Sequence, residues 1–373
     1  MRVVVVGAGL AGLRTVEALR DKGFDGELVL VGDEVHLPYD RPPLSKHVLR
    51  GEREPVLLRP EAAYDELAVD LRLGVAATGL DLEGGQVLTA HGPVPYDEVV
   101  VATGASPRRL PGAPGKVLRT LDDSQALGPL LAPGTVIGIV GAGLIGCEVA
   151  ASARAKGAEV HVVDLLPKPL VRVLGDAVAD RVQALHEEHG VRFHLGTSVV
   201  QASASHLELG DGTVLDVDVL LEAMGVVPTT AWLAGSGLDL EDGVVCDDRG
   251  QAAPGVWAVG DVARWGGTRH EHWTSATRQA EAVATAVLGL PAEPVEPPYW
   301  WSDQYDVKLQ GLGRIEPGDD AVVVEAGPRQ RPLAVYSRER RVTGVVGFSN
   351  APAVFALKDR LGDPLDEVLA SLG

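Results

Sequence analysis

Gly7, Gly9 and Gly12 stand in the string VVVVGAGLAG, and Gly141, Gly143 and Gly146 stand in VIGIVGAGLIG. Each trio follows a β-branched run and opens an Ala-rich stretch of helical character. In that setting the first glycine makes a tight strand-to-helix turn. The second lets the backbone approach a pyrophosphate, and the third lets helix and strand pack closely. The diphosphate then meets the N-terminus of the helix. Two such turns imply two dinucleotides, and a chain that holds two dinucleotides is suited to moving electrons between them.

An acidic residue at the end of the second strand completes each site by accepting a hydrogen bond from a ribose hydroxyl. Asp33 and Glu34 are the candidates in the first half, and Asp164, directly after HVV, in the second. No arginine follows Asp164 at once and the nearest base is Lys168, so the second site favours NADH over NADPH. Gly260-Asp261 follows an apolar run and precedes a helical stretch. An aspartate there can hold the ribityl chain of a flavin while the helix N-terminus faces its pyrimidine end.

The elements that must position these residues follow from the apolar pattern. Residues 3–6, 98–102, 136–140 and 256–259 read as short buried parallel strands, and residues 27–31 and 159–163 as the second strands of two βαβ units. Helices are expected over 11–22, 144–156, 177–189 and 275–288. Prolines cluster from Pro291 and mark a linker. Beyond it, strands over 321–326, 333–337 and 342–348 and closing helices suggest a small α+β domain. The fold class is α/β: two Rossmann-like dinucleotide-binding domains, for FAD and NAD, plus the small α+β C-terminal domain.

Bulk composition narrows the function. A net charge of −19 argues against a general nucleic-acid binder. No apolar run reaches the length of a membrane-spanning helix, and the first strand begins at Arg2, leaving no room for a signal peptide. These features point to a cytoplasmic protein. Cys147 and Cys246 make no disulfide framework and read as packing residues. His186-Glu187-Glu188-His189 lacks the i, i+4 histidine spacing of a zinc protease and reads as a solvated helix end. No metal site is expected, including at His270 and His272.

Taken together, VVVVGAGLAG, VGDEVHLPYDRPPLSK, VVATGASPRRLP, VLRTLDD, VGAGLIGCEVAA, GVVPTTAWL, GVWAVGDVARW, RHEHWTSATRQAEAVA and YWWSDQYDVKLQGLG resemble the FAD-dependent NADH:ferredoxin reductases of the glutathione reductase superfamily. The matching strings run from residue 3 to about 313. The resemblance implies an FAD domain in two pieces, 1–109 and 228–297, an NADH domain over 110–227, and a C-terminal interface domain over 298–373.

By the family's motifs, Asp33 would meet the adenosine ribose of FAD. Arg41 and Lys46 would lie near the isoalloxazine, with Lys46 at its N5 edge. Arg119 would touch the diphosphate or adenosine end, and Asp261 the ribityl chain. Trp273 would back the flavin, and Thr103 and Gly104 complete the FAD set. Glu148 resembles the acid that meets the nicotinamide amide, so Lys46, Glu148 and Trp273 are the candidate catalytic residues. No cysteine stands where disulfide-reducing members carry one; Leu44-Ser45-Lys46 occupies that place.

The implied partner is a [2Fe–2S] ferredoxin serving a cytochrome P450 or a Rieske oxygenase, with the reductase a monomer or weak dimer. Tyr299, Trp300 and Trp301, with Trp273, would lie between flavin and docking surface. Arg50, Arg53, Arg59, Lys308 and Arg314 are candidate docking bases, and Arg338, Arg340 and Arg341 form the densest run. Two other readings share the cofactor motifs: an NADH oxidase or reductase of a quinone-like molecule, and an interaction flavoprotein gated by NADH.

Overall fold

A computed structural model describes residues 1–112, 115–292 and 296–372. Part of the proline linker expected after Pro291, residues 293–295, lies outside the described residues. The chain divides into two compact units. The first comprises Met1–Asp40, Val56–Ser106 and Val226–Glu296; the second comprises Arg41–Pro55, Pro107–Gly225 and Pro297–Gly373.

The first unit is built on a six-stranded sheet in the order Gln251–Ala253, Val256–Ala258, Glu98–Val101, Arg2–Val6, Glu27–Val31, Val69–Arg72. All neighbours pair in parallel except the Gln251–Ala253 edge. Val3 to Val6 read as one apolar run because both faces are covered. Val4 and Val6 join Val29, Val31, Val99 and Val101 in one cluster. Val3 and Val5 join Leu28, Leu30 and Val100 in the other, against helix residues Val16, Leu19, Ala276 and Val283. The two helices on that face are Leu10–Asp21 and Trp273–Val287. The second starts two residues earlier than its sequence pattern suggests and so takes Trp273 into its first turn.

The second unit holds a four-stranded parallel sheet in the order Val191–Leu195, Glu159–Asp164, Val136–Val140, Val219–Glu222. The glycine turn leads from Val136–Val140 into the Leu144–Ala155 helix. The following helix runs Val171–Glu188, longer than expected, with Gly175 breaking the helical geometry at φ 65°, ψ 176°. Its first turn is stabilised by tertiary contacts that local sequence does not show. Leu174 is buried against Trp300 and Tyr336, and the Tyr336 hydroxyl donates to the Leu174 carbonyl at 2.6 Å.

The C-terminal stretch forms a five-stranded antiparallel sheet followed by the helices Ala351–Ala356 and Leu365–Ala370. The three expected strands are present, and two more, Tyr299–Gln304 and Val307–Gly313, precede them. The first alternates: Trp300, Ser302 and Gln304 are buried while Tyr299, Trp301 and Asp303 are partly exposed. Trp300 packs in the interior with Cys147, Leu174 and Tyr336. Tyr299 and Trp301 stack at 6.0 Å on the other face, and Phe355 lies 5.1 Å from Tyr299.

Candidate functional site

The first glycine turn shows why its positions exclude other residues. Gly7 has φ 117°, and a Cβ there would stand 2.2 Å from the Ala102 carbonyl oxygen. A Cβ on Gly12 would stand 1.9 Å from the Gly7 carbonyl oxygen, whereas one on Gly9 would meet nothing within 4 Å. The turn is therefore tight at both ends and open in the middle. Gly9 caps the Leu10–Asp21 helix without any side-chain hydrogen bond, and the first turn carries no acidic residue. A twelve-residue helix without a side-chain cap and with an open approach at Gly9 fits a diphosphate.

The second turn repeats this geometry. Gly141 has φ 113° and a Cβ there would stand 2.3 Å from the Ala223 carbonyl oxygen, a Cβ on Gly146 would stand 2.0 Å from the Gly141 carbonyl oxygen, and one on Gly143 would meet nothing within 4 Å. Gly143 caps the Leu144–Ala155 helix, again without a side-chain bond. Asp164 ends the neighbouring strand, and its two carboxylate oxygens accept from Ala142 N (2.6 Å) and Leu166 N (2.8 Å). It thereby ties the strand end to the glycine turn, and each oxygen keeps a lone pair for a ribose hydroxyl. Lys168 is held by Asp176 and Asp180 at 3.2 and 2.8 Å, which neutralises the nearest base.

Around the first turn, Asp33 is exposed just beyond the Glu27–Val31 strand, while Glu34 accepts a hydrogen bond from Tyr39. The Thr103 hydroxyl donates to the Thr229 carbonyl, and Gly104 has φ 67°. Gly260 has φ 75°, donates its N–H to the Gln279 side chain, and would bring a Cβ within 2.9 Å of Ala11. Only glycine lets this turn approach the fingerprint helix, which places Asp261 beside it. Trp273 is fixed by an indole N–H bond to Asp40 (2.9 Å), with the Arg14 guanidinium 5.8 Å from its ring. Burial pushes the preceding His272 down to about 4, so it is neutral at pH 7.

In the second unit residues 41–46, the RPPLSK part of the loop, lie against the Leu144–Ala155 helix. Lys46 and Glu148, assigned separate roles by their motifs, form a buried ion pair at 2.7 Å. The Lys46 ammonium also donates to the Pro42 carbonyl at 3.0 Å. Ser45 donates to Oε2 of Glu148 and Ser302 to Oε1, at 2.5 and 2.7 Å. The loop is anchored by Ser152, which donates to the Ser45 carbonyl, and Ser124, which donates to the Leu44 carbonyl. Arg41 donates to the Arg119 carbonyl at 2.6 Å, so these two predicted residues also come together. Ser45 and Ser302 were missed as site residues, although each sits in a string whose neighbours drew attention.

Other sequence expectations fare unevenly. Cys147 and Cys246 are buried, and burial raises both thiols, Cys246 to about 12, which makes them poor nucleophiles. His186 is not at a solvated helix end: it is fully buried, while Glu187, Glu188 and His189 are exposed. The densest basic run lies at the hairpin between Arg331–Arg338 and Arg341–Phe348. Arg338 pairs with Glu316 and Asp319, Arg340 with Asp366, and Arg341 donates to the Gly362 carbonyl. Arg50 pairs with Glu52, Arg59 with Glu17, and Lys308 with Asp303.

Comparison with known proteins agrees with this geometry. Residues 1–280 match the pyridine nucleotide-disulphide oxidoreductase family and residues 299–365 match the reductase C-terminal family. The chain is 37% identical to the ferredoxin–NAD(+) reductase subunit of the benzene 1,2-dioxygenase system of Pseudomonas putida, over 96% of this chain and 92% of that one. It is 32% identical to putidaredoxin reductase of Pseudomonas putida, over 99% and 97%. Among solved structures, the covalent putidaredoxin reductase–putidaredoxin complex matches with TM-score 0.91 and 31% identity, over 100% of this chain and 98% of that one. The ferredoxin reductase for the CYP199A2 system from Rhodopseudomonas palustris matches with TM-score 0.92 and 31% identity, over the full length of both. With two glycine turns of matching geometry and these full-length relatives, the chain belongs to the pyridine nucleotide-disulphide oxidoreductase family, in the branch that carries the reductase C-terminal domain.

Proposed function

We propose that this chain is a flavoprotein reductase that passes electrons from NADH through FAD to a [2Fe–2S] ferredoxin serving a cytochrome P450 or a Rieske oxygenase. The observation that carries the reading is the pair of uncapped glycine turns, one in each unit, with nearly the same close approaches. The ferredoxin follows from what the relatives are named for. The two buried, raised thiols argue against a disulfide route.

FAD, when bound, supplies an acceptor for hydride that can return its electrons singly. The residues of this chain bind and orient. Gly7, Gly9 and Gly12 would hold the FAD diphosphate at the Leu10–Asp21 helix, Asp33 the adenosine ribose and Asp261 the ribityl chain, with Thr103, Gly104 and Gly260 completing the FAD set. Trp273, fixed by Asp40, backs the flavin. Arg41, Lys46 and Arg119 are assigned to the flavin by the resemblance alone. Gly141, Gly143 and Gly146 hold the NADH diphosphate and Asp164 its ribose. Glu148 accepts from the nicotinamide carboxamide, and its ion pair with Lys46 fixes the carboxylate for that task.

Among the described residues no helix is long and apolar enough to cross a membrane, and we place the protein in the cytoplasm. The test is NADH-dependent reduction of cytochrome c with and without a [2Fe–2S] ferredoxin. The proposal expects a large ferredoxin-dependent increase. Rapid NADH loss that ignores ferredoxin and consumes oxygen or a quinone would overturn it.

A further inference from the structure

The Lys46–Glu148 pair ends a longer line of buried polar side chains. Ser302 Oγ lies 2.7 Å from Glu148 Oε1, and Gln304 Nε2 lies 3.2 Å from Ser302 Oγ. His186 Nε2 lies 2.9 Å from Gln304 Oε1, and the Tyr305 hydroxyl lies 3.0 Å from His186 Nδ1. Ser302, Gln304 and His186 are all 0% exposed. The line surfaces at Tyr305, whose ring stacks on exposed His189 at 3.7 Å. Burying this many polar groups is unfavourable unless each finds a partner, and here each does.

The chemistry of the groups fixes the direction of every bond. The Glu148 carboxylate, beside the Lys46 ammonium, can only accept, so Ser302 donates its single proton to it. Ser302 must then accept from the Gln304 amide N–H. That turns the Gln304 carbonyl to His186, which therefore carries its proton on Nε2. Nδ1 is left as an acceptor, and the Tyr305 hydroxyl donates to it. Burial supports this arrangement: it lowers His186 to about 4, keeping the imidazole neutral, and raises the Tyr305 phenol, keeping it protonated. A reversed Gln304 amide would take the Ser302 proton and leave Oε1 of the carboxylate without a donor.

We propose that Ser302, Gln304 and His186 are positioning residues for hydride transfer, a one-way chain of donors from Tyr305 that orients the Glu148 carboxylate beside Lys46. The chain is a positioning device and not a proton path. An amide in its middle would have to change tautomer to pass a proton, and hydride delivery needs no proton there. This inference rests on the assignment of Glu148 to the nicotinamide made above. His186 and Gln304 are far apart in sequence and neither reaches the carboxylate directly, so they act only through Ser302.

Two measurements on the FAD-loaded protein test it. Long-range proton–nitrogen NMR with labelled histidine, the His186 signal identified by its loss in His186→Gln, reads the tautomer without altering the network. The proposal expects the proton on Nε2; a proton on Nδ1 overturns it. Stopped-flow bleaching of flavin absorbance by NADH then compares variants, with NADH affinity read from the concentration dependence. Ser302→Ala is expected to slow bleaching on the order of tenfold, as for a lost bond to a charged group. Gln304→Leu and His186→Phe are expected to slow it about threefold or more, with NADH affinity little changed, and His186→Gln, which restores an N–H toward Gln304, to recover most of the rate. If Glu148→Gln is slow while Ser302→Ala and Gln304→Leu match the wild type, the positioning chain is refuted and the role of Glu148 stands. If Glu148→Gln itself is as fast as the wild type, the assignment of Glu148 fails.

Discussion

Replacing Lys46 by methionine removes the ammonium from a carboxylate that is nearly inaccessible to water. Lys46 is 6% and Glu148 4% exposed, and the two meet at 2.7 Å. Breaking one side of such a pair costs about 3–5 kcal/mol, because the partner charge stays buried. A carboxylate so stranded escapes by taking a proton. Protonating a glutamate of solution pKa about 4.3 costs about 3.7 kcal/mol at pH 7 but only about 1.6 kcal/mol at pH 5.5. The deficit of Lys46→Met should therefore shrink by about 2 kcal/mol between pH 7 and pH 5.5. A loss due to packing would not change with pH in this way. Urea unfolding of the holoprotein at both pH values, with Glu148→Leu and the double variant, completes the cycle and should give a coupling of at least about 2 kcal/mol. A Lys46→Met deficit below about 1 kcal/mol that is flat with pH would refute the buried pair.

Gly12→Ala and Gly146→Ala should separate the two cofactors: each drives a Cβ to 1.9 or 2.0 Å of a backbone carbonyl oxygen, so the first variant should purify without FAD and the second should keep FAD but lose NADH binding, read by absorbance and by NADH titration. Asp164→Ala removes the ribose acceptor and two backbone bonds and should raise the KM for NADH about tenfold to a hundredfold, whereas Leu165→Arg, at a 70% exposed position beside it, should improve use of NADPH. His186, lowered to about 4, is neutral in the native state and charged in the unfolded chain between pH 4 and about pH 6.5. The unfolded state then binds the extra proton, so stability is lost as pH falls through that window, by about 3 kcal/mol in all. His186→Gln should flatten that part of a pH series of urea midpoints. Arg338→Ala and Arg340→Ala remove bases already paired with carboxylates and should change ferredoxin turnover less than about twofold.

What the sequence made legible was what is local. The two glycine turns could be read because their constraint is backbone geometry: a positive φ at Gly7 and Gly141 and no room for a Cβ at Gly12 and Gly146. The parallel strands could be read because double burial leaves an unbroken apolar run, as in Val3 to Val6. The Glu148 environment could not be read in the same way. Its partners Ser45 and Ser302 stand 103 and 154 residues away along the chain, and neither type announces a buried role. In WWSDQYD the tryptophans drew attention to a surface function, yet a period-two reading would have put Trp300, Ser302 and Gln304 on one face. His186 was obscured by its exposed neighbours, since three charged or polar residues after it make the helix end look wet although Val182, one turn earlier on the same face, is buried with it.

The central claim is that electrons enter as hydride from NADH and leave singly to a ferredoxin. The most direct measurement mixes the NADH-reduced protein anaerobically with excess oxidised [2Fe–2S] ferredoxin and follows flavin absorbance together with the electron paramagnetic resonance of the reduced cluster. The account predicts that recovery of the flavin absorbance is matched by two reduced clusters per flavin. A flavin that stays bleached in the presence of ferredoxin, and recovers only when oxygen or a quinone is admitted, would contradict it.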